Sequence, residues 1–348
     1  MAKTVIHIKD SENKYSLDKV GCFERPTALI LGALGSDDAS FYLMFRKLFQ
    51  VYTLDIEQHS DYHLDEKSSD VWIFDRLGLT RKWAAGPLKD AVAELIASQT
   101  PVLVPGNLRE IYFSDHYKSG DWPHLFLVNG YDGDNELFYV LDYIQNKNVS
   151  ELMTNTSVPY DKCILRADDL EAAYRAYTCF HADLSVQYFE KQDKFDHIDK
   201  RELLLAFLEL LRDRMESQQF IERPLSAAIR AEIAENSDTG GERVTDLLQT
   251  LSKSPKYREV MMTETLRLLR QYPIHAEAVH EMETLKEAIV RSWALIAKKF
   301  YRDLLKGAHL NDMDISEAMR WEREFYDLAY THVSGVLDPA LSYEWGSI

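Results

Sequence analysis

Cysteine is scarce in this chain: three in 348 residues, Cys22, Cys163 and Cys179, with no C-x-x-C pair among them. Three thiols make no disulfide framework, and a cytoplasmic protein with free thiols is expected. Long apolar runs are missing too. None approaches the roughly 18–20 residues of a membrane helix, and Met1-Ala-Lys-Thr-Val-Ile-His-Ile-Lys-Asp10 lacks the apolar centre of a secretory leader. Basic charge is in deficit. The net charge is −17, spread evenly as 16 basic against 24 acidic side chains in residues 1–165 and 24 against 33 in residues 166–348. A nucleic-acid groove and attachment to an anionic membrane are therefore not expected. No internal repeat period is present.

What remains is an ordinary globular composition, 46% hydrophobic and 28% charged, in a chain long enough for two domains. The first part mixes patterns. Strands are expected at Thr4–Ile8, Val51–Asp55 and Pro101–Pro105, with one more between Val149 and Ile164. Helices are expected from Thr27 to a stop at Gly35, after a cap at Ser36, over 66–78 and over 87–98. From Asp168 onward every segment reads as helical: 168–190, 199–217, 223–236, 241–252, 255–271, 274–306 and 314–331, with breaks at Thr239-Gly-Gly and Ser254-Pro255. An α+β domain over 1–165 followed by an all-α domain over 166–348 is the expected architecture.

The most informative stretch is 120–143. Two apolar runs, His124–Val128 and Leu137–Leu141, flank Asp132-Gly-Asp-Asn135, a tight-turn composition whose glycine can take positive φ. A hairpin centred on Gly133 sets Tyr131 opposite Asn135 and His124 opposite Asp142. Directly opposed residues lie roughly 4.5–5.5 Å apart, so a carboxylate would fix the tautomer of an imidazole and stabilise its cation. The same pair would serve equally as a strand-end surface contact.

Cys22 precedes the first helix. Pro26 has no N–H and must lie in the first turn, which puts Cys22 at or just before the N-cap. A thiol there feels the positive end of the helix dipole and gains thiolate character, although a lone cysteine is often simply packed away. Other groups carry weaker signals. His59 and His63 have no third ligand at useful spacing, His116 and His124 with Cys22 do not match a usual zinc set, and no metal site is expected. Cys163 and Cys179 read as packing residues. Tyr112 and Trp122, in an aromatic-rich loop, either line a pocket or pack the loop.

A cysteine at a helix start, a histidine opening a hairpin and an aspartate on the returning strand, in that order, is the papain-like arrangement. The block His124-Leu-Phe-Leu-Val-Asn-Gly-Tyr-Asp132 resembles the histidine block of peptidase C39-like proteins. Three blocks, Cys22-Phe-Glu-Arg-Pro-Thr-Ala28, Thr100-Pro-Val-Leu-Val-Pro-Gly-Asn-Leu108 and His124–Asp142, resemble the butirosin-type acyltransferase family (BtrH-like) over roughly residues 15–180. The resemblance implies a papain-like catalytic domain and a helical C-terminal half. It also implies a Cys22 nucleophile, His124 as base and Asp142 as orienter. The reaction it implies passes an aminoacyl or peptidyl group from the phosphopantetheine thioester of an acyl or peptidyl carrier protein to a small-molecule amine acceptor, in nonribosomal peptide-type natural-product assembly. No cofactor of the enzyme's own is implied.

One departure stands out. Papain-like proteases carry a glutamine six residues before the nucleophile, as an oxyanion donor. Here that position is Ser16, and no glutamine precedes Cys22 at all. Candidates for the role are backbone N–H groups at the helix start, Phe23 among them, and the side chains of Asn13, Ser16 and Asn107. An acidic chain docking an acidic carrier needs a local basic face, and Arg291, Lys298 and Arg302, with Lys299 and Lys306 nearby, are candidates on one helix. The helical half is also a candidate lid. The same triad would serve a thioesterase or amidase or a chain-releasing cyclase, and a papain-like shell without activity would be an interaction module.

Overall fold

The computed structural model describes residues 3–9, 15–16, 19–35, 37–52, 69–143, 160–181, 185–216, 241–272, 276–305 and 315–337. In chain order the elements are β1 (Thr4–Val5), α1 (Glu24–Leu34), α2 (Asp38–Tyr52), α3 (Ser69–Arg76), β2 (Leu79–Ala84), α4 (Leu88–Ala97), β3 (Val102–Asn107), β4 (Pro123–Asp132), β5 (Leu137–Tyr143), β6 (Tyr160–Arg166), α5 (Ala167–Ala176), β7 (Val186–Lys191), α6 (Lys200–Glu216), α7 (Gly241–Leu269), α8 (Ala276–Leu305) and α9 (Ser316–Leu337). Short 3-10 turns cover Leu108–Glu110, Tyr177–Cys179 and Phe195–His197. The chain is mixed α and β, with one antiparallel sheet plus helices. Among the described residues no helix is long and apolar enough to cross a membrane.

Two compact units form. The first takes residues 1–39 and 74–196, the second 40–73 and 197–348. The first unit thus runs past the compositional change near residue 166, because Val186–Lys191 is a strand of its sheet. The helix expected over 168–190 stops at Ala176. β2 is likewise a strand where none was expected. Val51 and Tyr52 end a helix, and the rest of the strand expected at Val51–Asp55 lies outside the described residues. So do Asn13, His59, His63, Lys306, the helix expected over 223–236 and much of 149–164.

The sheet order is β2-β7-β3-β4-β5-β6, with β1 also on β4. β4 is buried from His124 to Asp132, as a strand covered on both faces must be, and its near-continuous apolar run follows from that. On one face Val102, Val104, Phe126, Val128, Phe138, Val140, Cys163 and Leu165 meet Leu88, Val92 and Ile96 of α4 and Leu170, Ala173 and Tyr174 of α5. Each large side chain buried there contributes about 1.5–3 kcal/mol.

α1 begins where a reciprocal cap closes it. The Gly21 carbonyl accepts the Glu24 and Arg25 N–H groups at 3.1 and 3.0 Å, and Glu24 Oε2 accepts the Gly21 N–H at 3.0 Å, the returning half of a capping box. Pro26 is the third residue of the helix, as expected. Gly35 ends it, but in extended backbone (φ −154°) rather than left-handed.

In the second unit α7 packs on α8, α8 on α9 and α9 on α6. Four helices meet at Glu322 of α9, which is fully buried. It accepts from Arg258 Nε at 3.0 Å, from Trp293 Nε1 at 2.8 Å and from the Tyr52 hydroxyl. The Arg258 guanidinium lies 3.6 Å from the Trp293 ring centroid. Burial and the adjacent Glu322 charge hold the Tyr52 phenol well above its usual pKa. The break expected at Ser254-Pro255 does not occur: α7 runs through Pro255, carried by a buried face of Leu251, Ser254, Arg258, Met261 and Met262.

Candidate active site

The hairpin forms, but with another register. Pairing runs Leu127 to Leu141, Val128 to Val140, Gly130 to Tyr139, Tyr131 to Phe138 and Asp132 to Leu137. The turn holds four residues, Gly133–Glu136, and its left-handed residue is Glu136 (φ 54°), not Gly133. Asp132 fastens it by accepting the Asn135 N–H at 3.1 Å and the Asn135 amide at 2.9 Å. Continuing the pairing beyond Leu127 sets Phe126, not His124, opposite Asp142. The register slips by one between Val128 and Gly130, a bulge at Asn129 whose side chain and backbone hold β1 through Ile6 (2.8 and 2.7 Å). Without that slip Asp142 would fall opposite Leu127 and point to the other face.

His124 and Asp142 therefore meet on the diagonal. Diagonal neighbours are roughly 7–8 Å apart at the backbone, within reach of long side chains. Nε2 of His124 lies 2.8 and 2.9 Å from the two carboxylate oxygens of Asp142. Both side chains are buried, 1% and 2% exposed. The Phe126 ring packs edge-on against the imidazole, centroids 4.8 Å apart. On β3, Gly106 faces His124, and a Cβ at Gly106 would lie 2.6 Å from Phe126 Cε2 and 3.3 Å from Ala173 Cβ. The glycine is required by that close approach.

The second nitrogen looks elsewhere. Nδ1 is buried and has no hydrogen-bond partner of good geometry, and Cys22 is close enough to act electrostatically on the ring. Such contacts are often long before a substrate is bound. Burial opposes the imidazolium, but the Asp142 charge and hydrogen bond and the adjacent Cys22 outweigh it, raising the His124 pKa to about 10. The ring is used in the opposite sense to the serine-protease triad, where Nδ1 faces the carboxylate. Cys22 is a free, partly exposed thiol directly ahead of α1. Three residues from distant parts of the chain are thus brought together, the Asp142 carboxylate bonded to the His124 imidazole and the Cys22 thiol its electrostatic neighbour. No protein-family model matches the chain, and no curated protein matches it.

The remaining candidates divide. Asn107 is 1% exposed and fully engaged with the loop that follows it. Its oxygen accepts the Arg109 and Trp122 N–H groups at 3.1 and 3.0 Å. Its amide donates to Asp121 at 2.9 Å and reaches Cys179 Sγ at 3.6 Å. It is a scaffold for the loop rather than a donor to an oxyanion. Ser16 closes a turn through its carbonyl, accepting the Lys19 and Val20 N–H groups at 2.9 and 3.1 Å. Phe23 opens α1, and its carbonyl accepts the Thr27 hydroxyl at 2.9 Å. Tyr112 is 59% exposed, and its electrostatic neighbours are Cys163 and Asp169. Trp122 is half exposed and stacks on His116, centroids 4.6 Å apart and 15° between planes. Among the described residues no group of three side chains is arranged to hold a metal.

One neighbour of the thiol had no mark in the sequence. Tyr177 follows α5 in the 3-10 turn Tyr177–Cys179, is 4% exposed and interacts electrostatically with both Cys22 and Cys179. Burial first, then these two sulfurs, raise its phenol to about 12. Cys179 belongs to this cluster and is exposed. Burial of its sulfur, then the Asp121 charge, pushes its thiol pKa up.

Proposed function

We propose that this chain is a papain-like cysteine acyltransferase of the butirosin type, moving an aminoacyl or peptidyl group from a carrier-bound pantetheine thioester to an amine. The observation that carries the reading is the buried imidazole bonded through Nε2 to Asp142, with the Cys22 thiol an electrostatic neighbour of the ring. A His124 that holds its proton at neutral pH suits a thioester. Cys22 attacks as the thiolate whose proton is on His124: the sulfur adds to the carbonyl carbon, and the tetrahedral adduct expels the pantetheine sulfur, which takes that proton from His124. The acyl group is then a thioester of Cys22. The neutral ring accepts a proton from the attacking amine, the C–S bond breaks, and the amide leaves. Asp142 stabilises the cation that stands at the start of the cycle and re-forms in the aminolysis step, and it orients the ring.

Arg291, Lys298, Lys299 and Arg302 are exposed on α8 and are the proposed docking face for an acidic carrier. Trp122, exposed two residues before His124, is the proposed edge of the acyl site. The test is to load the protein with an acyl-pantetheine thioester and follow discharge of the adduct with and without added amines. Transfer predicts discharge that rises with amine concentration and yields amide. Discharge by water alone, at a rate no amine changes, refutes the acyltransferase in favour of a thioesterase.

A further inference from the structure

The proposed chemistry needs a donor for the oxyanion, and neither a glutamine before Cys22 nor the engaged amide of Asn107 supplies one. The geometry points to the Tyr177 hydroxyl as that donor, a hydrogen bond to the carbonyl oxygen of the acyl group attacked by Cys22, an assignment that rests on the acyl-enzyme reading above. Three placements lead there. Ala173 of α5 packs over Gly106, the residue facing His124 on β3. Tyr177 is four residues on, the next position along that helix face. The turn that carries Tyr177 packs on β3, and its Cys179 touches Asn107 of that strand. The phenol and the Cys22 thiol are electrostatic neighbours. The ring is held between Phe180 and His181, with centroids 5.4 and 5.5 Å away.

A phenol with its pKa raised to about 12 keeps its proton at working pH and stays a donor. In the step itself the Cys22 sulfur bonds to the carbonyl carbon and the π pair moves to the oxygen, which accepts the Tyr177 O–H. When the C–S bond to pantetheine breaks, the carbonyl reforms and the leaving thiolate takes the His124 proton. Tyr177 gives up no proton. A single donor of this kind is worth about 10²–10³-fold in rate.

Tyr177→Phe removes only the hydroxyl and keeps the packed ring. The rate of Cys22 acylation by an acyl-pantetheine thioester is read by intact mass for wild type, Tyr177→Phe and Cys22→Ala. Alkylation of Cys22 by iodoacetamide, mapped by peptide mass, runs in parallel, since that displacement develops no oxyanion. Acylation should fall about 100-fold or more in Tyr177→Phe while alkylation stays within about twofold. Wild-type acylation with an unchanged rate in Tyr177→Phe overturns the assignment and leaves the acyl-enzyme reading standing. Acylation and alkylation falling together overturn it too, since the hydroxyl would then act on the sulfur. No acylation of wild type refutes the acyl-enzyme reading itself, and the assignment goes with it.

Discussion

His124 and Asp142 are bonded across a diagonal of the β4–β5 hairpin, Nε2 to both carboxylate oxygens at 2.8 and 2.9 Å, with the phenyl ring of Phe126 beside the imidazole. In this buried site the ring stays cationic only because the carboxylate and the thiol outweigh burial. Asp142→Asn removes the charge and keeps the shape, so burial prevails. The His124 pKa should drop from about 10 to below the ordinary value of about 6.5. An NMR titration of labelled histidine reads this directly; a ring still titrating near 10 in the variant would mean the carboxylate is not the cause.

The same shift makes stability depend on pH. The folded pKa of His124 lies above its unfolded value of about 6.5, so the pair's stabilisation is complete below about pH 6.5 and is lost as pH rises through about 10. Urea unfolding of wild type and His124→Gln between pH 6 and 10.5 should show the wild-type advantage shrinking as pH rises. An advantage that grows with pH would reverse the sign.

Gly106→Ala tests the packing around the ring. The new methyl group would sit 2.6 Å from Phe126 Cε2 and 3.3 Å from Ala173 Cβ. Phe126 must shift toward His124 or the strands must part, at a cost of about 1–3 kcal/mol. Reduced unfolding free energy together with slower Cys22 acylation is expected. A variant as stable as wild type would show that the site is looser than its contacts imply.

In the second unit, Glu322→Ala should be among the most damaging single changes. It leaves Arg258 buried without its carboxylate, and Trp293 Nε1 and the Tyr52 hydroxyl without their acceptor. Removing one partner of a buried ion pair costs about 3–5 kcal/mol. The unfolding free energy from urea titration gives the answer, and a loss under about 1 kcal/mol would place the network with exposed pairs instead.

The sequence was legible where local rules act alone. Pro26 in the first turn of α1, the hairpin of two apolar runs and the helix after Pro87 all follow from turn chemistry and periodicity. What it hid depended on distant chain. The four-residue turn and the bulge at Asn129 set the His124–Asp142 diagonal, and the bulge exists because β1 docks on β4 next to Gly130, where a Cβ would meet the Thr4 carbonyl at 2.8 Å. β7 sat inside a stretch of helical composition, and only pairing with β2 and β3 makes it a strand. Pro255 looked like a break because local sterics favour one, yet buried packing carries α7 through. Tyr177 was unmarked for the same reason: its place beside Cys22 is set by where α5 crosses the sheet.

The most direct test asks which thiol takes the acyl group. Cys179 is the more exposed of the two cysteines beside Tyr177 and is the competing site for unassisted exchange. After brief reaction with an acyl-pantetheine thioester, peptide mass mapping should place the added acyl mass on Cys22, with Cys179 unmodified and the adduct absent in Cys22→Ala and His124→Ala. Acyl mass on Cys179, or on Cys22 at the same rate without His124, would contradict a catalytic line of carboxylate, imidazole and thiol.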